Sequence, residues 1–159
     1  MKIELNPIGK IHTPFKQREG MPIQPTGAKD IQGSIEIFDP FKEGLKDLDG
    51  FSHIILLYAF DRSKDYDLQV VPFMDDTLRG VFATRAPKRP NPIGLSIVKL
   101  DRIENQTLYV QNIDVLDGTP LLDIKPYVPD FDRPENVRSG WVEQSKDKVS
   151  TKKSDDRFK

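Results

Sequence analysis

A chain of 159 residues, 36% of them apolar, is long enough for one main domain with its own core, and it contains no Cys. Disulfides, thiolate metal centres and cysteine nucleophiles are thereby excluded, and with only His12 and His53 a zinc site would need a carboxylate-rich shell, so no metal is expected. The formal net charge of −1 means that a nucleic-acid partner would have to meet a local basic patch and not the surface as a whole.

The chain opens on MKIELNPIGKIHTPF, which has no signal-peptide core, and no apolar run reaches membrane-spanning length. A soluble, cytoplasmic protein without a membrane partner is expected. Ile3, Leu5, Ile8 and Ile11 predict one or two short strands broken near Pro7 and Gly9. Residues 14–30 carry three prolines and two glycines and form no regular element. Ile31, Gly33, Ile35 and Ile37 then alternate with polar residues, the period of a half-buried strand. PFKEGLKDLDG predicts a short helical turn capped by Gly50. FSHIILLYAF, residues 51–60, is almost continuously apolar and predicts a central strand covered on both faces. His53 within it reads as a core or rim histidine rather than a catalytic one. VVPFMDD, with Pro72 inside, is an edge strand or a loop plug.

Two strands, Gly80–Arg85 and Ile93–Ile103, are expected on either side of a loop stiffened by Pro87, Pro90 and Pro92. Each proline also pushes the residue before it towards extended geometry, so Asn91 is held on both sides. Arg85, Lys88 and Arg89 bring three positive charges to this loop. It is either a ligand loop, with guanidinium groups that grip a carboxylate or phosphate, or a solvated connection with ordinary surface charges. Asn105-Gln106 predicts a hairpin turn into a strand over Thr107–Leu116, and Asp117-Gly118-Thr119-Pro120 a tight turn into LLDIKPYV. Asp114, Asp117 and Asp123 fall within ten residues. Residues 1–142 are expected to form the domain and 143–159, charged in both signs, a disordered tail.

Short strands with tight turns and almost no helix predict a mainly all-β fold, a small closed or partly closed antiparallel β-barrel. Gln24, Arg62, Arg85, Asn91 and Asp117 are then expected to meet at one mouth. No Gly-x-Gly-x-x-Gly follows a strand and no phosphate loop is present, which argues against Rossmann and P-loop chemistry. What remains is catalysis by orientation and electrostatics around a bound small molecule.

FSHIILLYAF, GVFATRAPKRPNPIGLSIVKL and DVLDGTPLLDIKPYVP together resemble the TsaA-like family of S-adenosylmethionine-dependent methyltransferases, over roughly residues 1–130. The resemblance implies a β-barrel unlike Rossmann methyltransferases. It also implies a homodimer with S-adenosyl-L-methionine near the subunit contact, and N6-methylation of threonylcarbamoyladenosine at position 37 in the tRNA anticodon loop. Matched position by position, the cofactor segments fall on Gln24 and Pro25, on Asp61 and Arg62, on Arg85 with Gly94 and Leu95, and on Asp117, Gly118 and Thr119. Arg85 is the expected partner of the methionine carboxylate. Some members carry His-Gln where this chain has Asp61-Arg62. Asp117 or Asp114 is the candidate general base and Asn91 the orienting amide. Arg79, Lys88 and Arg89, with Lys99 and Lys152-Lys153, are the candidate phosphate contacts. Some members continue into a further domain, which leaves two alternatives open: a methyltransferase acting on a small molecule, and a non-catalytic S-adenosylmethionine-binding barrel.

Overall fold

The computed structural model describes residues 1–23, 25–148, 153–155 and 157. Six strands close a barrel in the order β1 (Gly9–His12), β2 (Gln32–Ile37), β7 (Thr107–Gln111), β6 (Ile93–Glu104), β3 (His53–Ala59) and β8 (Pro120–Pro126), all neighbours antiparallel. A separate two-stranded ribbon pairs β4 (Gln69–Val70) with β5 (Arg79–Gly80). Closure leaves no unpaired sheet edge in the barrel, which is what lets strands this short persist.

Alternation sets the interior. Ile11, Ile35, Ile37, Ile54, Leu56, Tyr58, Val98, Leu100, Leu108, Val110 and Leu121 are buried in one cluster. Register places large residues opposite small ones near one end, with Tyr58 facing Gly94 and Leu56 facing Ser96. The inward residues of β6 grow along the strand, Gly94, Ser96, Val98, Leu100, so the barrel has room at the Gly94 end. Tyr58 occupies that room. A Cβ at Gly94 would lie 2.6 Å from Tyr58 Cζ and 2.9 Å from Phe60 Cζ. Tyr58 and Phe60 themselves meet edge to face at 5.6 Å.

Several local expectations change. β3 is buried on alternate residues only, because one face points into the barrel while the outer face stays half-buried. Residues 81–85 are not a strand: Val81–Ala83 is 3₁₀-helical, with the Thr84 amide closing onto the Val81 carbonyl. The strand expected over Thr107–Leu116 stops at Gln111, where Asn112 takes φ 64° and its Oδ1 accepts the Asp30 amide. Asp47 rather than Gly50 adopts the left-handed conformation between the 3₁₀ turns Asp39–Leu45 and Leu48–Gly50. A short helix α1 (Pro129–Asp132) and a 3₁₀ segment Gly140–Lys148 follow β8. Part of the segment read as a tail is thus in contact: Ser145 Oγ donates to the Met74 carbonyl, and the Ser154 amide to the Met21 carbonyl. Among the described residues no helix is long and apolar enough to cross a membrane.

Candidate active site

The Gly94 end of the barrel opens into a cavity of about 350 Å³. Its walls come from loops that the strands deliver to the same end: 18–23 after β1, 60–62 after β3, 72–74 after β4, 84–89 before β6, and 114–119 before β8. Met21, Ile23, Phe73, Leu95 and Trp141 supply apolar wall; Arg18, Arg62, Arg85 and Arg89 bring positive charge and Asp61, Asp114 and Asp155 negative charge. Beneath the ribbon, Val70, Val81 and Ala86 pack with Phe73 as a second small core that supports this wall.

The loops are fixed mainly by main-chain bonds. Phe60 N donates to Pro92 O (2.7 Å), Ile93 N to Asn91 O (2.7 Å) and Asp67 N to Lys88 O (3.3 Å), so the proline-rich loop is tied to the end of β3. Arg89 Nη1 donates to the carbonyls of Thr84 and Ala86 at 2.9 and 3.3 Å, stapling its own loop. The Asp-Gly turn forms as the sequence predicts, with Gly118 at φ +81° and Thr119 N and Oγ1 both donating to Leu116 O. That turn docks on β1 through Gly118 N to Ile11 O (2.8 Å), and Arg62 Nη2 reaches Asp117 O at 3.3 Å.

The three clustered aspartates go to three different places. Asp117 accepts Lys16 Nζ (2.6 Å) and the Thr13 amide (3.0 Å), with His12 Nδ1 at 3.7 Å. The Lys16 bond, followed by the Thr13 amide, holds its carboxyl below the usual carboxylate range. Asp123 pairs with Lys125 at 2.8 Å. Asp114 lines the cavity, where Ser96 Oγ donates to its Oδ1 at 2.6 Å and Tyr58 Oη lies 3.0 Å from Ser96 Oγ. Burial pushes the Asp114 carboxyl up to about 6, against the opposing pull of the Ser96 bond and the Arg85 charge. Burial likewise raises the Tyr58 phenol, helped by the Asp114 charge.

Of the residues expected at the site, Asp61, Arg62, Arg85, Arg89, Gly94, Leu95, Asp114 and Thr119 line the cavity together. Asn91, Lys88, Asp117, Gly118 and Arg79 do not; Asn91 is exposed, and Arg79 is engaged by Asp75 at 2.7 Å and lies over the Trp141 ring. Gln24 and Lys152 lie outside the described residues, and Pro25 opens the 3₁₀ turn Pro25–Ala28. His53 begins β3 at the opposite end of the barrel, beside Ser52 and Tyr127. Sequence reasoning missed Tyr58, Phe60, Ser96, Met21, Phe73, Trp141 and the rim residues Ser154 and Asp155. The one signal available was the graded Gly-Ser-Val-Leu series on β6, which places a hydroxyl among inward positions.

A closed antiparallel barrel with a charge-lined cavity at one mouth defines a small-molecule-binding β-barrel, distinct in architecture from doubly wound α/β proteins. Residues 10–133 match the family described as the tRNA-methyltransferase O N-terminal domain. A probable S-adenosyl-L-methionine-binding protein of Pyrococcus abyssi is 55% identical over 152 residues, spanning 96% of this chain and 83% of that protein. The tRNA (adenine(37)-N6)-methyltransferase of Mus musculus is 37% identical, but the match spans 82% of this chain and only 32% of the mouse protein. TrmO from Pseudomonas aeruginosa, a crystal structure, superimposes with a TM-score of 0.75 at 40% identity, over 89% of this chain and 63% of that one. The chain belongs to the TsaA-like family of tRNA-methyltransferase O.

Proposed function

We propose that this protein is an S-adenosylmethionine-dependent tRNA methyltransferase acting on N6 of adenine 37, with N6-threonylcarbamoyladenosine as its substrate. The observation that carries the reading is the Asp114 carboxylate, set in the cavity wall beside guanidinium groups and an apolar surface. The residues present fit the cofactor by their chemistry: Arg85 or Arg18 for a carboxylate, Asp61 or Asp155 for a cation, and Ile23, Phe73, Leu95 and Trp141 for a purine face. A cavity of about 350 Å³ is also of ligand size.

When bound, S-adenosylmethionine supplies a methyl group on a sulfonium sulfur that leaves as a neutral thioether. Asp114 takes the proton of the acceptor nitrogen. With its carboxyl near 6, Asp114 is mostly ionised at pH 7 and still basic enough to accept, which is the balance general-base catalysis favours. Asp117 is the poorer base, since its carboxylate is already committed to Lys16 and Thr13 and its pKa is depressed. Arg85 orients the cofactor's carboxylate, and the proline-rich loop and Trp141 shield the cavity from water. Trp141 is fastened by Nε1 to the Ala83 carbonyl at 2.9 Å.

The outer face of β3 and β6 supports a homodimer. Ile93, Leu95 and Ile97 are 40%, 40% and 36% exposed beside half-buried Ile55 and Leu57, an apolar stripe that a second copy would cover. Ile93 and Leu95 also line the cavity, so a subunit contact there would adjoin the cofactor.

A specific observation favours a second reading, a small-molecule acceptor: Arg79 and Arg89, two of the expected phosphate contacts, make bonds within their own segment. Methyl-labelled S-adenosylmethionine and tRNA from a strain lacking the native activity, followed by digestion and mass spectrometry, tests both. Label on N6-methylated threonylcarbamoyladenosine is expected. Label on no nucleoside, with calorimetry still recording cofactor binding, would overturn the tRNA substrate and leave the cofactor site standing.

A further inference from the structure

Ser96 is wholly buried on the inner face of β6, at a position whose strand neighbours on that face are Gly94 and Val98. A hydroxyl in such surroundings is unfavourable unless bonded, and Ser96 is bonded twice, to Asp114 Oδ1 at 2.6 Å and to Tyr58 Oη at 3.0 Å. The directions follow from proton counting. An ionised carboxylate only accepts, so the single Ser96 hydrogen goes to Asp114, and Tyr58 must donate to Ser96. Tyr58, 5% exposed, reaches this place because Gly94 has no Cβ.

We propose that Tyr58 and Ser96 are positioning residues of the transfer reaction, a buried two-hydroxyl chain that fixes the Asp114 carboxyl in the cavity wall and reserves Oδ2 for the acceptor's proton. The proposal rests on the methyltransferase reading above. Ser96 donates to Oδ1, so a proton arriving from the acceptor nitrogen forms its O–H bond at Oδ2, while the N–H electron pair stays on nitrogen for the bond to the methyl carbon. The charged groups that share the cavity are Arg18, Arg62, Arg85 and Arg89 on one side of the balance and Asp61 and Asp155 on the other. The Ser96 hydroxyl bonds Asp114 and Tyr58, so the two substitutions act on the Asp114 carboxyl through this chain. Because the chain favours the carboxylate, its loss makes Asp114 harder to ionise.

The test is Ser96→Ala and the gentler Tyr58→Phe, each followed in two ways: the Asp114 carboxyl titration by carbon-13 resonance, and the pH dependence of single-turnover methyl transfer. In Ser96→Ala both midpoints should rise together by about one pH unit, with a smaller rise in Tyr58→Phe as the chain loses its outer donor. Cofactor affinity should stay within about twofold, since neither hydroxyl supplies ground-state binding. Transfer by the wild-type protein with midpoints unmoved in both variants would overturn this inference alone. Absence of transfer in the wild-type protein itself would overturn the methyltransferase reading and the positioning role with it.

Discussion

Replacing Asp114 by Asn should make the protein more stable and less active, and the size of the gain can be worked from the site. The Asp114 carboxyl moves from 3.8 in the free chain to about 6 in the fold, burial being the chief cause. A shift of about two units corresponds to about 3 kcal/mol of differential interaction, and its sign is against the folded state whenever Asp114 is ionised. Because the folded value is raised, the stability associated with Asp114 is fully present below the unfolded value and is lost as pH rises through the folded one. The loss should begin near pH 4 and be complete by about pH 7. Asn has the same shape, keeps an oxygen for Ser96 Oγ–H, and carries no charge to bury. Urea unfolding of both proteins from pH 4 to pH 8 isolates the effect, because Asp75 and Asp117, whose values are lowered, contribute equally to both curves. The stability difference should open by up to about 3 kcal/mol in favour of the Asn variant across this range. Methyl transfer should fall by about 100-fold or more if Asp114 is the base. A difference that stays flat to within about 0.5 kcal/mol would refute the burial argument and remove the physical reason for choosing Asp114 over Asp117.

Gly94→Ala should lower stability by about 1–3 kcal/mol and weaken cofactor binding, because the new methyl overlaps the Tyr58 ring; thermal melts and calorimetry measure both. Asp117→Ala should cost about 1 kcal/mol through loss of the Thr13 amide and Lys16 bonds while single-turnover transfer changes by less than about threefold; a collapse of transfer with intact fold would restore Asp117 as a candidate base. Ile97→Glu places a charge on the exposed apolar stripe without touching the cavity lining; if the stripe is the proposed dimer contact, sedimentation should give a dimer for the parent protein and a monomer for the variant. Arg85→Ala should raise the dissociation constant of S-adenosylmethionine by about tenfold or more in calorimetry, since a charge-assisted pair to a carboxylate is at stake.

The features legible in the sequence are those whose cause is local. The Asp117-Gly118 pair marks a tight turn by itself, since Gly118 takes φ +81° without the strain a Cβ would bring. The three prolines stiffen residues 86–92 before any tertiary contact exists, and alternation along Ile93–Ile103 predicts a strand because its period is that of the pleat. Barrel closure was likewise implied by many short strands that would otherwise expose edges. The segments quoted for the family resemblance include two features of this kind, the proline-rich loop and the Asp117-Gly118 turn, beside the strands they join.

What only the tertiary structure decided is which of the polar groups share a space. Asp114, Asp117 and Asp123 are neighbours in the chain, yet one lines the cavity, one caps β1 and one pairs with Lys125, because the turn at 117–118 and the pleat of β8 send successive carboxylates in different directions. Tyr58, Ser96 and Asp114 are separated by 38 and 18 positions and come together only when β3 and β6 pair in the register that sets Tyr58 against Gly94. A one-residue slip of β3 would turn Tyr58 to the outside and away from Ser96. Burial, which raises the Asp114 carboxyl, is a property of the closed barrel and has no counterpart in the order of the residues.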